Sequence, residues 1–284
     1  VVPDGAEAVS LRGEPLSRPS IAPDELAKRQ AAYDEARAAH DRAPGDVDAA
    51  IWHGRRLGYL NRFRDAVEVF GAAIAEHPDD ARLYRHRGHR YITLRMLDAA
   101  IRDLEHAASL RTGKPDEIEP DGQPNPANIP TSTLHGNIYY HLGLAKYLKG
   151  DFAGALAAYD ACMATATNDD SRVSTAYWQY LTLRRLERHD DAAAVLAKLP
   201  THPVIIENHA YHRLLELYRG NLDVAALVSD DDLDRVTVGY GVAMWKLFKG
   251  DRMAAIVDLR AIVAGDLWPA FGFIAAEAEL PKPR

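Results

Sequence analysis

The chain has one cysteine, Cys162, in 284 residues, which excludes an intrachain disulfide and a multi-cysteine zinc site. No apolar run approaches the roughly 18 to 20 residues of a membrane helix, so no membrane span is expected. A basic excess is missing too. The formal net charge is −7, whereas nucleic-acid binders usually carry positive charge to displace counterions from phosphates. There is no Gly-x-Ser-x-Gly elbow, phosphate loop or His-Glu-x-x-His helix, hence no motif for an activated nucleophile, a phosphate cradle or a catalytic zinc. The sequence begins VVPDGAEAVS, with neither Met nor the basic-then-apolar pattern of a signal peptide. Its compartment is unassigned, and an extracytoplasmic location follows only if a signal peptide preceded this start. With 47% hydrophobic and 26% charged residues, the composition is that of a soluble chain able to bury a substantial core.

What the chain does have is repetition. LKGDFAGALAAYD (148–160) returns as FKGDRMAAIVDL (248–259) and, loosely, as YRGNLDVAAL (218–227). Aligned on the small residue after each turn, Ala66, Ala100, Ala155, Ala192, Ala225 and Ala255 are 34, 55, 37, 33 and 30 residues apart. A period near 34 predicts units of helix, turn, helix, turn. Twelve residues before the first three anchors stand Gly54, Gly88 and Gly143, and four residues after them stand Phe70, Leu104 and Tyr159. This is the pattern of two helices that approach closely at a small residue while a bulky one fills the gap. The 55-residue interval is one period plus an insertion, RTGKPDEIEPDGQPNPANIPT (111–131), whose five prolines and two glycines exclude helix. It is expected to fold over one face of the array.

DDARLYRHRGHRYITLRMLDAAIRDLEHA (79–107) and NIYYHLGLAKYLKGDFAGALAAYDACMA (137–164) resemble tetratricopeptide repeats. The resemblance covers roughly residues 46–265 and implies an all-α, right-handed superhelix of about six helix pairs with capping helices. The expected organisation is an extended or disordered segment 1–22, an N-terminal capping helix 23–44, repeats one and two over 46–110, the insertion 111–131, repeats three to six over 132–265, and a closing helix and tail 266–284. Tyr180, Arg213 and Ala243 stand where the later units need a small residue, so helix pairs at the first two are expected to splay or shift.

In such an array the first helices line a concave groove. Helical spacing places on that lining Trp52, Arg55 and Tyr59, then Arg82, Arg85, His86 and His89, then Asn137, Tyr140, His141 and Tyr147, then Tyr177, Trp178 and Arg185. These are donors and aromatics suited to a peptide or an anion, not a catalytic set. Residues 81–96 hold five arginines, two histidines and no acid; either acids such as Asp79, Asp98 and Asp103 offset the repulsion, or the arginines present forks to a carboxylate. Some tetratricopeptide domains grip a peptide's C-terminal carboxylate with Lys, Asn and Arg; the matching slots here hold Ile51 and Arg55, His86, then Asn137 and His141, so only the cationic character carries over. His86 with His89, and His209 with His212 near Glu207 and Glu216, have one-face spacing, but zinc needs convergent ligands from other elements, and no metal or cofactor is expected. Ser132 or Thr133 is expected to cap a helix, and Cys162 to fill core.

The reading is a non-catalytic protein-interaction scaffold that binds an extended peptide or partner segment in the groove, with acidic segments among the candidate partners. The alternatives are a small-molecule or anion receptor and, behind it, an all-α enzyme with its cleft under the insertion. No nucleic acid is expected as partner, and the oligomeric state is left open.

Overall fold

The computed structural model describes residues 2–281; Val1 and residues 282–284, from the two expected terminal segments, lie outside the described residues. The chain divides into two compact units, Val1–Pro115 and Asp116–Arg284.

The first unit opens with a two-stranded antiparallel hairpin, β1 (Ala8–Val9) on β2 (Pro15–Leu16), so residues expected to be extended or disordered have local order. Glu7 fastens it, accepting from the Arg64 amide at 3.0 Å and pairing with Arg18 at 2.9 Å. Then come α1 (Pro23–Arg42), α2 (Val47–Tyr59), α3 (Phe63–Glu76), α4 (Ala81–Thr93) and α5 (Leu97–Arg111). Asp46 and Asp80 cap α2 and α4 through backbone amides at 3.0 Å, satisfying donors that a helix start leaves open. The core of this unit joins Tyr33, Ile51, Leu57, Leu60, Phe70 and Leu83.

The second unit holds α6 (Leu134–Lys149), α7 (Phe152–Thr165), α8 (Asp169–Arg185), α9 (His189–Lys198), α10 (His209–Arg219), α11 (Asp232–Phe248), α12 (Arg252–Val263) and α13 (Phe271–Glu279). Thr133 caps α6 through the Gly136 amide at 3.1 Å, and Asp231 caps α11 through the Asp234 amide at 2.8 Å. Within the insertion, Ile118 bridges Thr133 antiparallel. Its end is tied to the 199–208 segment, where Glu207 accepts from Thr131 Oγ1 and, at 3.2 Å, from Asn125 Nδ2.

The repeated small-plus-bulky pattern has a direct physical cause. A Cβ on Gly54 would lie 2.4 Å from Phe70 Cζ, one on Gly88 2.8 Å from Leu104 Cγ, and one on Gly143 2.6 Å from Tyr159 Cε1. The bulky ring or branch therefore occupies the volume a side chain would take, so the helices of each pair cross in close contact. These are tetratricopeptide-like helix pairs in an all-α helical-repeat fold.

The turn inside each pair is also shared. Asn61, Arg95, Gly150, Glu187, Gly220 and Gly250 take φ of 57, 62, 81, 59, 81 and 88° at the same point after the first helix. This left-handed conformation is unstrained for glycine and costs other residues about 1 kcal/mol. Glu187→Gly should therefore raise stability by about 0.5–1 kcal/mol in urea denaturation.

Of the two units expected to splay or shift, one loses its second helix and the other stays paired. Arg213, where a small residue is needed, donates to the Val228 carbonyl at 2.8 Å and pairs with Asp234 at 3.3 Å. In place of a second helix the fifth unit has only a 3-10 turn, Val224–Ala226: a long cation fills the slot that the second helix would pack into, and it binds the rerouted chain instead. Tyr180 leaves α8 and α9 paired and stacks on Tyr218 of α10, ring centroids 4.7 Å apart.

The closing helix is not a polar-backed end cap. Gly272, Phe273, Ile274, Ala275, Ala276 and Glu277 are buried in succession, which surrounds the helix on all faces. It packs on α11 and α12 and reaches back to α6, where Phe271 lies 5.7 Å from the His141 ring.

Candidate functional site

The first-helix faces of the two units differ. In the first unit, Asp48, Trp52, Arg55 and Tyr59 follow one another at helical spacing along α2. The Arg55 guanidinium lies 4.5 Å and that of Arg56 5.0 Å from the Trp52 ring centroid, a cation–π arrangement. Trp52, Arg55 and Tyr59 are all half-buried. On α4, Arg82 bonds Asp48 at 2.6 Å and Asp80 at 2.7 Å, and the Asp80 bond holds its ionisation well above the usual guanidinium range. Arg87 forks onto Asp103 at 2.7 and 2.9 Å. Carboxylates thus offset the repulsion along α4: Asp103 is among the expected acids, whereas Asp48 and Asp80 are not.

Arg85 and His86 are buried, with Arg85 Nη1 3.1 Å from His86 Nδ1 and His86 stacked on Phe70. Arg90 Nη2 donates to His89 Nδ1 at 2.8 Å, which fixes that nitrogen as an acceptor. Burial holds the Arg90 guanidinium down to about 10, opposed by Tyr59 and reinforced by Arg85 and Arg55. Arg85 and Arg55 thus lie within electrostatic reach of Arg90.

In the second unit His141, Tyr147, Tyr177 and Trp178 are buried, and Asn137, Tyr140 and Arg185 are half-buried but engaged by neighbouring helices or loops. Eleven residues of α8 are buried, among them Tyr177 and Trp178 at 1% exposure. Trp178 Nε1 donates to Tyr140 Oη at 2.8 Å, which shares a 3.1 Å bond with Tyr211 Oη. Tyr147 Oη and Tyr240 Oη are 3.0 Å apart. The Trp178 ring meets Tyr147, Tyr177 and Tyr240 at 5.4, 5.2 and 5.9 Å. Burial pushes the phenols of Tyr140, Tyr147, Tyr177 and Tyr240 up, so they are neutral donors and acceptors. Arg185 is paired with Glu279 of α13, whose carboxyl burial raises against the pull of that arginine. His141 Nδ1 donates to the Asn137 carbonyl at 2.6 Å, and Asn137 Nδ2 donates to Ser132 at 3.1 Å. Of the expected lining, Asn137, Tyr140, His141, Tyr147, Tyr177, Trp178 and Arg185 thus meet their own unit's helices.

The remaining chemistry is structural. Burial pushes the Cys162 thiol up to about 11, against its bond with Thr175, so little thiolate forms near neutrality. Among the described residues no group of three or more His, Cys, Asp or Glu is placed to hold a metal ion. Glu216, near His212, is engaged by Arg219 at 2.6 Å and Asn221 at 2.7 Å.

One residue that sequence patterns missed organises an entire segment. Asp170 is fully buried and accepts the amides of Ile206, Glu207 and Asn208 at 2.9, 2.9 and 2.8 Å. The capping box that Asn168 and Ser171 form around it has a local signature. The target of Asp170, more than thirty residues on, has none.

These helix pairs, with their small-residue crossings, define a tetratricopeptide-like repeat protein. No protein-family model matches the sequence, and no curated protein does. Among solved structures it is similar to YrrB, described as a TPR protein with an unusual peptide-binding site, at 15% identity and TM-score 0.47 over 87% of this chain and 99% of that one. It is also similar to MamA AMB-1, at 17% identity and TM-score 0.44 over 62% of this chain and 92% of that one. A third similar structure is the APC/C hetero-tetramer Cut9-Hcn1, at 14% identity and TM-score 0.37 over 90% of this chain and 47% of that one.

Proposed function

We propose that the protein is a non-catalytic interaction scaffold and that its recognition surface is the α2–α4 face of the first unit. The observation that carries this reading is the row of half-buried Trp52, Arg55 and Tyr59 beside Arg82, His89 and Arg90. Aromatic residues next to arginine are the composition that dominates binding energy at protein interfaces. The partner is an extended segment with acidic side chains, because the half-buried Arg55 guanidinium over Trp52 offers a carboxylate a charge-assisted bidentate donor. The seven candidates on α6 and α8 then act in stability rather than in recognition.

The chain, immobilised as bait in lysate of its source organism at pH 7.5, tests this with Trp52→Ala/Arg55→Ala as control. The double variant should lose at least tenfold in partner capture while keeping its helical circular dichroism and a Tm within about 2 °C of the parent, since surface changes shift stability by about 0.5 kcal/mol. Hydrogen exchange on the captured complex should show new protection in α2 and α4. An anion receptor would use the same arginines, and calorimetric titration with a small dicarboxylate separates that reading from a protein partner. A parallel loss of capture and of helical signal would reassign Trp52 and Arg55 to the core.

A further inference from the structure

Beside the proposed recognition face, the first unit carries a pair of titratable groups that no part of that reading uses. His40, in the last turn of α1, and His53, on α2, bring their Nδ1 atoms to 3.0 Å, with ring centroids 5.1 Å apart. Tyr33, the one residue of the twenty-residue α1 that is buried, lies 5.6 Å from the His53 ring. The Arg62 guanidinium, from the turn after α2, is 5.4 Å from the Tyr33 ring. Arg29 Nη1 donates to the Tyr59 carbonyl at 2.9 Å. The histidine pair is therefore one of the side-chain contacts that hold α1 on α2.

We propose that the His40–His53 pair is a proton-operated latch that releases α1 from α2 as pH falls, so that the recognition face on α2 senses acidity. This rests on the reading of α2 given above. Two Nδ1 atoms at hydrogen-bond distance need one donor and one acceptor. The neutral pair meets that requirement, and so does a pair that has gained one proton on an outer nitrogen. A second proton places N–H groups on both facing atoms and turns the bond into a contact between two cations. The groups facing the pair do not neutralise this: Asp41 on α1 favours the charged form, while Arg37 on α1 and Arg62 beside α2 oppose it.

The direction follows from linkage. Burial, then His40, lowers the His53 ionisation, so the docked state binds protons less readily than an undocked α1 does. The docking contribution is complete above the ordinary histidine value of about 6.5 and is lost as pH falls below it through the lowered value. Undocking reaches the recognition face because His53 adjoins Trp52 in sequence and Arg29 holds the Tyr59 carbonyl.

The test is amide exchange on the full chain at pH 7.5, 6.5 and 5.5, corrected for intrinsic exchange rates, with α7 as internal reference. Protection in α1 should fall at least tenfold between pH 7.5 and 5.5 while α7 stays constant. His40→Gln, whose amide can serve as donor or acceptor, should flatten that dependence. Protection of α1 that is constant with pH in the parent, or that falls as steeply in His40→Gln, would overturn the latch. If the variant fails to dock α1 at pH 7.5, an NMR titration of the parent's imidazole protons decides instead. The latch predicts that His53 takes its proton below the ordinary histidine value of about 6.5, and a His53 transition at or above that value rejects it. Neither readout involves a partner, so loss of capture in Trp52→Ala/Arg55→Ala bears on the recognition face alone and α1 protection bears on the latch alone.

Discussion

Trp178→Ala should lower the melting temperature of the second unit by roughly 8–15 °C, corresponding to about 4 kcal/mol. The side chain is 1% exposed and touches Tyr147, Tyr177 and Tyr240, so truncation removes a large apolar volume from a close-packed interior that relaxes only partly. It also deprives Tyr140 Oη of the Trp178 indole donor, leaving a buried phenol with fewer partners. Near-ultraviolet circular dichroism, which reports on packed aromatic rings, should fall together with the melting temperature. Trp178→Phe, which keeps most of the ring volume but loses the N–H, should cost about half as much.

Asp170→Ala should destabilise the protein by about 3–5 kcal/mol. Three backbone amides, those of Ile206, Glu207 and Asn208, converge on its carboxylate, and Ala leaves all three without an acceptor in a buried site. The loss should also be localised: amides 206–208 should exchange faster than those of α7, and limited proteolysis should cut within 199–208 before it cuts elsewhere. Asp170→Asn should retain part of the effect, because its amide oxygen can still serve Glu207 and Asn208 while its NH2 faces the Ile206 N–H. Equal exchange at 206–208 in parent and Ala variant would show that the segment is held by other contacts.

Much of the fold is written locally in the chain. Gly54, Gly88 and Gly143, twelve residues before an alanine, identify helix crossings because the partner ring or branch sits where a Cβ would be. The Gly-Asp turn that repeats at 150 and 250 marks a left-handed position that glycine adopts without strain. Asn61, Arg95 and Glu187 occupy the same position, and their turns are legible only through the register of their neighbours.

The candidate site was less legible, for a physical reason. Helical spacing reports which residues share a face of one helix, not what that face meets. On α2 the face carries Trp52, Arg55 and Tyr59 half-buried. On α6 and α8 the same spacing selects Tyr140, Tyr147, Tyr177 and Trp178, which meet Tyr211 of α10 and Tyr240 of α11. Those contacts join residues 34 to 93 positions apart, and no local pattern encodes them. The tyrosines themselves held the available hint, since a ring with a hydroxyl serves a wet binding face and a hydrogen-bonded interior equally well. The fate of α13 was hidden in the same way: a stretch of Phe, Gly, Ile and Ala reads as apolar, yet only its contacts with α6 and α11 distinguish an inserted helix from an end cap.

The central claim is that equivalent first-helix faces serve recognition in one unit and packing in the other. Trp52→Ala and Trp178→Ala, measured side by side for thermal melting and for partner capture at pH 7.5, test it most directly. The account predicts that Trp52→Ala melts within about 2 °C of the parent and captures at least tenfold less, while Trp178→Ala shows the large fall in melting temperature and, below its transition, captures as the parent does. Trp178→Ala melting like the parent but losing capture would contradict the account, because it would place the recognition surface on α8.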